Sequence, residues 1–418
     1  MKTIIVIGGG ASGIMAAGQA ALAGANVLLL EKMKEPGKKI LISGQGRCNI
    51  TNNSELHDFL SHFNPNGRFL HQPFSRFFVP QLMAFFEELG LQLITERGGR
   101  VFPKSGRARD VLDTLLHWLT KTGARLQCSQ PVEDLVITEG RIAGVMRNGK
   151  KLACDAVVLA TGGSSYPTTG SSGDGFHFAK KAGHTIMPLK PALIPLITRE
   201  PCLHQLGGLD LRNTGIRIYV DGKRKKSDFG EVGFTRFGIG GPVILTHSRA
   251  IVDWLQSGKQ VSISLDLKPA LDDRKLDARL QRDFQSRSKE ELQSVLRGLL
   301  PQQLIQVCLQ LLELNGQKEA GVVSAKERAR LRSWLKDFRM EISGHRPLKE
   351  AIVTAGGVNV KEVDPRTMES RLVRGLYFSG EVLDIDGDTG GYNLQAAFST
   401  GWLAGRSAAA DEQEPEEE

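Results

Sequence analysis

The chain has no long apolar run. None of the hydrophobic stretches in its 418 residues approaches the roughly 20 needed to cross a bilayer, so no membrane partner is expected. Cysteine is scarce. The five present, Cys48, Cys128, Cys154, Cys202 and Cys308, are odd in number, widely spaced and free of any C-x-x-C pair. That argues against a disulfide framework or a zinc site and fits reduced thiols. No H-E-x-x-H or EF-hand pattern occurs, so no metal is expected. No low-complexity segment occurs either. Neither a secretory signal nor a transit peptide precedes the first apolar strand, which makes the cytoplasm the expected location. The length exceeds what one small core organises, and two or three domains are expected.

Charge is uneven. The chain carries net +8 with a pI near 9.2, despite an acidic tail, Asp411 to Glu418, that reads as disordered. Pro191 to His345 holds 25 Lys and Arg against 18 Asp and Glu, so the basic excess lies mostly mid-chain. A solvated basic face is the ordinary reading, and contact with RNA or another polyanion is the sharper one.

What is present begins at the N-terminus. Thr3 to Ile7 is an apolar β-branched run. Gly8, Gly10 and Gly13 follow in the spacing G-x-G-x-x-G, then a small-residue helix ended by Gly24, a second apolar run from Val27 to Leu30, and Glu31. Gly8 suits the tight turn, Gly10 lets backbone approach a pyrophosphate, and Gly13 lets helix and strand pack closely. A helix N-terminus there offers free N–H groups to phosphates. Glu31, eighteen residues after Gly13, can accept from both hydroxyls of a ribose. Strand, turn, helix, strand and acid together indicate a dinucleotide site, and a plain Gly-rich turn would leave Glu31 unexplained.

Lys32 to Asn52 lacks helical periodicity and reads as an ordered loop whose Gly44, Gly46 and Asn49 bring backbone near a ligand. Cys48 within it either faces a flat ring or is a packed thiol, the commoner fate of a free cysteine. Phe59 to Phe78 reads as short helices, its aromatics as core or, less readily, as an active-site wall. Pro80 to Leu89 and Arg109 to Lys121 have helical periodicity. Val132 to Thr138, Arg141 to Asn148 and Leu152 to Cys154 read as strands joined by tight turns. Asp155 to Ala160 is a buried parallel strand leading into Thr161-Gly162-Gly163, at the edge where open α/β sheets bind ligands. Ser164 to Gly175 is a Gly/Ser loop with the wrong spacing for a second dinucleotide fingerprint.

From Pro188 the pattern turns to β-like segments with an Asp221-Gly222 turn beside Lys223 to Lys226. Gly233 to Pro242 reads as a Gly-rich loop and Leu271 to Phe338 as helical. The expected organisation is a discontinuous cofactor domain, 1–190 and 346–410, interrupted by a β-rich domain, 191–268, and a helical domain, 269–345. Strands then return at Ala351 to Val358 and Gly375 to Glu381. Thr389 to Asn393 opens a final helix rich in Ala, Ser and Gly. A second Gly-rich turn into a helix N-terminus suits a flavoprotein, where it faces the N1/O2 edge of the ring and stabilises negative charge.

With these segments assembled, the chain resembles the BaiN/RdsA-type, aminoacetone-oxidase-like family of FAD-dependent oxidoreductases. The resemblance rests on GGGASG (Gly8 to Gly13), SGQGRCNITN (Ser43 to Asn52), ATGGSSYPTTGSSGDG (Ala160 to Gly175), TAGGV (Thr354 to Val358) and GLYFSGEVLDIDGDTGGYNLQ (Gly375 to Gln395). It implies an α/β, Rossmann-like FAD-binding domain of the two-dinucleotide-binding-domain type, interrupted by a small β domain and a helical domain. It implies FAD contacts at Gly8, Gly10, Ser12, Gly13, Glu31 and Lys32, and at Gly44, Gly46, Arg47, Cys48 and Asn49. Further contacts are implied at Val132, Thr161, Gly162, Gly163, Gly380, Glu381, Gly391, Tyr392, Asn393 and Leu394. Gln45 stands where the family usually has Gly or Asn, and Ala396 where many members have Trp.

The resulting expectation is hydride transfer through flavin N5 of non-covalent FAD. One form is a reductase fed by NADH or NADPH, whose acceptor is an unsaturated small molecule or a uridine in ribosomal RNA. The alternatives are an oxygen-using oxidase of a small amine such as aminoacetone, and a binding protein that keeps FAD without catalysis. No catalytic acid or base is assigned. Cys48 is the nearest candidate as a proton donor, and His177, His184 and His345 are given no role. Oligomeric state is not legible.

Overall fold

The computed structural model describes residues 1–63 and 65–410, and the acidic tail, for which disorder is expected, lies outside the described residues. Two compact units are present. One combines Met1–Ala192 with the chain from Leu348 onward, and the other is Leu193–Pro347.

The first unit is built on a five-stranded sheet in the order Leu376–Phe378, Ala156–Leu159, Thr3–Ile7, Asn26–Leu30, Arg125–Gln127, every neighbouring pair parallel. Ile4, Ile5, Val6, Val157, Val158 and Leu159 are fully or almost fully buried. A parallel sheet covered on both faces needs such continuous apolar strands rather than alternating ones. Thr3–Ile7 pairs with Asn26–Leu30 on one side and with Ala156–Leu159 on the other. The strand order therefore reverses at its C-terminal end, the place where open α/β sheets form a ligand crevice.

The first helix, Ala11–Leu22, is clamped on two faces. At Gly18 a Cβ would lie 2.2 Å from the Trp118 ring. Trp118 belongs to the amphipathic helix Ala108–Lys121, which also buries Val111, Leu112, Leu115 and Leu119. On the other face the C-terminal helix, Tyr392–Ala409, makes backbone-close contact. The antiparallel strands Asp134–Thr138, Arg141–Arg147 and Lys150–Leu152 form the meander their turn residues suggest. The stretch Lys32 to Asn52 differs from a simple loop. It contains the helix Lys38–Ile42, started by Gly37 at φ 66° and anchored by buried Ile40, and the two-residue strand Thr51–Asn52.

The second unit holds a closed six-stranded barrel: Leu196–Thr198, Gly238–Gly240, Lys223–Thr235, Asp210–Val220, Val261–Asp266 and Phe338–His345. Asp221 and Gly222, at φ 49° and 74°, turn one long strand into the next, as a two-residue Asp-Gly hairpin requires. Two segments depart from the sequence reading. The loop expected at Gly233 to Pro242 contributes barrel strand, and Pro242 opens a helix, Pro242–Gln256, that burial of Ile244, Ser248, Ile251 and Val252 holds in place. Phe338–His345 is a strand, although it falls at the end of the helical domain expected at 269–345. Its Phe338, Met340 and Ile342 are buried and Arg339, Glu341 and Ser343 exposed, a period of two that the adjacent helical pattern masked. The helices between are Asp273–Ser286, Leu292–Leu296, Gln302–Leu311 and Ala325–Lys336.

Candidate dinucleotide and flavin site

The ends of three parallel strands converge on the Gly8 turn. Gly8 donates to the Leu30 carbonyl at 2.8 Å, and Ala160 donates to the Ile7 carbonyl at 2.9 Å. At φ 106°, a Cβ on Gly8 would stand 2.5 Å from the Ala160 oxygen, and one on Gly13 would stand 1.8 Å from the Gly8 oxygen. Gly10 is different: a Cβ there would meet nothing within 4 Å. Two of the glycines are thus needed by the chain's own packing, while Gly10 borders open space. Gly10 caps the first helix with no side-chain cap hydrogen bond, so the first-turn N–H groups face that space unclaimed.

Glu31 is 8% exposed. Its Oε2 accepts from the Gly9 N–H and its Oε1 from the Met33 N–H, both at 2.7 Å. Each oxygen keeps a further lone pair, so the carboxylate can still accept from ribose hydroxyls. The segment carrying Val132 follows Ser129 and Gln130, which donate to the carbonyls of Met33 and Glu31 at 2.9 Å. Val132 is half-buried in the connection just before the strand Asp134–Thr138. Lys32 turns instead to the Gly/Ser loop, where its Nζ meets Asp174 at 2.5 Å and also Ser172.

The family motif at Ser43 to Asn52 makes a backbone knot. Gly44, Gln45, Gly46 and Cys48 all have positive φ, at 55°, 58°, 84° and 59°. Gln45 sits in the left-handed region that Gly and Asn favour, so Gln is a strained occupant there. The side chains separate. Arg47 pairs with Glu96 at 2.5 Å and lies 4.2 Å above the Phe102 ring. Cys48 is completely buried, and burial pushes its thiol up to about 12. It is a packed neutral thiol, not an exposed acid. The buried Asn49 Oδ1 has no partner among the described residues, and neither has Thr161 Oγ1. Each is a buried polar atom left without a protein partner, and the two lie in separate motif loops.

Thr161, Gly162 and Gly163 pass beneath the C-terminal segment. A Cβ on Gly163 would lie 2.4 Å from Thr354 Oγ1 and 2.7 Å from Glu381 Oε1. Glu381 accepts from the Thr354 N–H at 2.8 Å, from Ser165 Oγ at 3.0 Å and from Lys39 Nζ at 2.6 Å. Ser165 and Thr354 belong to two of the quoted motifs but had no role assigned, and Lys39 lies outside them; their convergence on Glu381 arises only through tertiary contact. Gly380, at φ 73°, donates to Thr400 Oγ1 at 2.9 Å and would strike Ser12 Oγ if it bore a Cβ.

The C-terminal helix starts at Gly391, φ 103°, again with no side-chain cap hydrogen bond. Gly391 packs on the Thr51 backbone, where a Cβ would be 2.4 Å from its carbonyl. Asn393 clamps the preceding turn, accepting from Gly387 N–H and donating to Gly387 O, both at 2.8 Å. Leu394 packs partly buried on the core. Tyr392 is buried among Phe59 and Phe63, with Phe74 and Phe78 completing a contiguous aromatic core. The core reading of these aromatics therefore holds. Burial, with Asp58 and Asp388 nearby, holds the Tyr392 phenol up at about 12.

The two uncapped helix N-termini are held at a fixed offset. Ser12 lies against Gly401 and Ala16 against Gly405, so the helices run parallel. Ala11 aligns with Thr400, and the C-terminal helix therefore begins eight residues earlier, about 12 Å further along the shared direction at 1.5 Å per residue.

Among the described residues, no helix is long and apolar enough to cross a membrane. The family described as HI0933-like protein Rossmann domain matches residues 2–407. A 3-dehydro-bile acid delta(4,6)-reductase of Clostridium scindens is 33% identical, over 98% of this chain and 99% of that protein. A ribosomal RNA dihydrouridine synthase of Escherichia coli is 31% identical, over 95% and 96% respectively. Among solved structures, a 3-ketosteroid delta1-dehydrogenase from Sterolibacterium denitrificans shares the fold with a TM-score of 0.52 at 15% identity, over 98% of this chain and 100% of that one. The chain belongs to the HI0933-like Rossmann family and is an FAD-dependent oxidoreductase.

Proposed function

We propose that the protein is an NAD(P)H-fed flavin reductase that saturates a carbon–carbon double bond conjugated to a carbonyl. The observation that carries the cofactor placement is the pair of parallel, uncapped helix N-termini about 12 Å apart along their shared direction. That offset suits a pyrophosphate at Gly10–Ser12 and a flavin ring edge at Gly391–Asn393, joined by an extended five-carbon polyol. Glu31 would take the adenosine ribose, and the loops Gly44–Asn49 and Thr161–Gly163 would lie along the ligand. When bound, FAD supplies two-electron hydride chemistry. The chain's own groups bind, orient and exclude water, and the helix starting at Tyr392 favours negative charge on the ring edge.

Two relatives support the acceptor class. A 3-dehydro-bile acid with delta(4,6) unsaturation and the uracil base of a uridine share one reactive unit, a C=C polarised by an adjacent carbonyl. The two acceptors differ in size and charge, yet in each the carbonyl makes the far end of the conjugated C=C electrophilic, as hydride acceptance requires. A second reading, that the acceptor is RNA, is favoured by the run Lys223–Lys226, exposed along a barrel hairpin. Affinity for ribosomal RNA that falls steeply with salt would support it.

The test is the visible spectrum of the purified protein loaded with FAD, followed anaerobically through addition of NADH, then NADPH, then an acceptor. Bleaching by a nicotinamide and return of colour with an enone or with ribosomal RNA is the expected outcome. Bands that stay oxidised with both nicotinamides, and peroxide release with aminoacetone, would replace this reading by an amine oxidase.

A further inference from the structure

His62 and Asp388 form a pair that motif reading does not single out. His62 Nδ1 lies 2.8 Å from Asp388 Oδ2, and the Asp388 N–H donates to the His62 carbonyl at 3.0 Å. Phe63 and Gly387 form a β-bridge beside them, and a Cβ on Gly387 would stand 2.7 Å from the Phe63 ring. The turn carrying Asp388 is held from its other end by Asn393, whose Nδ2 donates to the Gly387 and Asp388 carbonyls at 2.8 and 3.2 Å. The imidazole stacks on Tyr392, with ring centroids 4.1 Å apart and 21° between planes.

This is more than a solvated surface pair. Ring plane, ring edge and backbone are each fixed by a separate contact. A carboxylate only accepts, so Nδ1 carries a proton and Nε2 is the nitrogen left to give or take one. No hydrogen bond to Nε2 is made among the described residues. The His62 side chain is 31% exposed, enough to exchange protons with water. Asp388, paired with the ring, and Tyr392, stacked on it, are the titratable groups shown against it, and Asp58 acts on Tyr392. Tyr392 is the first residue of the C-terminal helix, so the imidazole stands beside the N-terminus assigned above to the flavin ring edge.

We propose that His62 is the proton donor to the acceptor and that Asp388 is the residue positioning it. The inference rests on the reductase reading. In the overall step NAD(P)H gives up a hydride and is oxidised by two electrons. The acceptor's C=C π bond breaks, its β-carbon gains the hydride and its α-carbon gains the proton from Nε2 of the His62 imidazolium, which is left as neutral imidazole with Nδ1–H still on Asp388. Neutral imidazole is then reprotonated by water.

The test uses the FAD-loaded full chain with His62→Ala and Asp388→Asn, with NADH or NADPH as reductant and cyclohex-2-enone as the probe acceptor. In His62→Ala the ratio of reoxidation rate to reduction rate should fall about 100-fold, the usual scale of a lost general acid, and added imidazole should recover part of it. Histidine-selective nitrogen NMR of the chain without acceptor should show His62 in the Nδ1–H form, and Asp388→Asn should shift it toward the Nε2–H form. Equal loss of both rates, no loss, absence of imidazole rescue, or an Nε2–H tautomer in the unmodified protein would each overturn the assignment. If the unmodified flavin is not bleached by either nicotinamide, or is bleached but not reoxidised by the enone, the reductase reading fails first and this inference falls with it.

Discussion

A Cβ on Gly401 would stand 2.3 Å from the Ser12 carbonyl oxygen, 389 residues away in sequence. Four residues on, Gly405 repeats the contact against the Ala16 carbonyl at 2.2 Å. The first and last helices of the cofactor unit therefore touch backbone to backbone. That contact sets both the spacing and the register of their N-termini.

Gly401→Ala separates propensity from packing. Alanine favours a helix over glycine by about 1 kcal/mol, but overpacking a close contact costs about 1–3 kcal/mol, and here the obstacle is backbone that cannot rotate aside. The expected result is a lower melting temperature and weaker FAD retention, read by thermal unfolding and by flavin absorbance after gel filtration. A melt raised by the substitution would show that the helices have room to separate.

Gly10→Ala and Gly13→Ala should part company. Gly10 has φ −83° and open space around its missing side chain, so alanine should leave stability unchanged or raise it by up to about 1 kcal/mol. FAD affinity should nevertheless drop, because the methyl would stand where phosphate approaches. Gly13→Ala places a Cβ 1.8 Å from the Gly8 oxygen and should damage fold and affinity together. Circular dichroism melts alongside flavin titrations distinguish the two.

Glu31→Gln tests the buried carboxylate. Both oxygens already accept a backbone N–H, and an amide can serve only one of them. The other N–H would face an NH₂ group, a loss of about 1–3 kcal/mol. Urea denaturation of the FAD-free chain should show that loss, and the FAD dissociation constant should rise as well.

Tyr392 gives a prediction in alkaline solution. Burial first, then Asp58 and Asp388, raises its phenol from 10.0 to about 12. A group whose folded pKa is raised contributes stability that is complete below the unfolded value and lost as pH climbs through the folded one. That contribution should therefore persist to about pH 10 and disappear between about 10 and 12. Ultraviolet difference titration should find one late-ionising tyrosine absent from Tyr392→Phe, and Asp58→Asn should move its titration to lower pH.

Much of this architecture was legible in the chain. The strand–Gly–helix–strand–acid run is local, and β-branched continuity, glycine spacing and the placement of Glu31 each answer a requirement within about 30 residues. The Asp221-Gly222 hairpin is equally local, since the turn dictates its own residues. Helix Pro242–Gln256 was less visible because it begins inside a Gly-rich stretch, although proline at its first position is a start signal. The strand Phe338–His345 was hidden by the helix directly before it.

The sequence by itself determined a dinucleotide fold and a second glycine turn into a helix, because backbone conformation and glycine spacing are short-range demands, and its motifs carried the resemblance to a family of oxidoreductases. Only the tertiary structure decided where the side chains of those motifs go. It sent Arg47 to Glu96, buried the Cys48 thiol and left Asn49 Oδ1 and Thr161 Oγ1 unpaired. It also joined Lys39 to Glu381 and His62 to Asp388. Those pairs are separated by 342 and 326 residues. Side-chain direction in a loop depends on what packs against it, and in this chain those partners arrive from the opposite end.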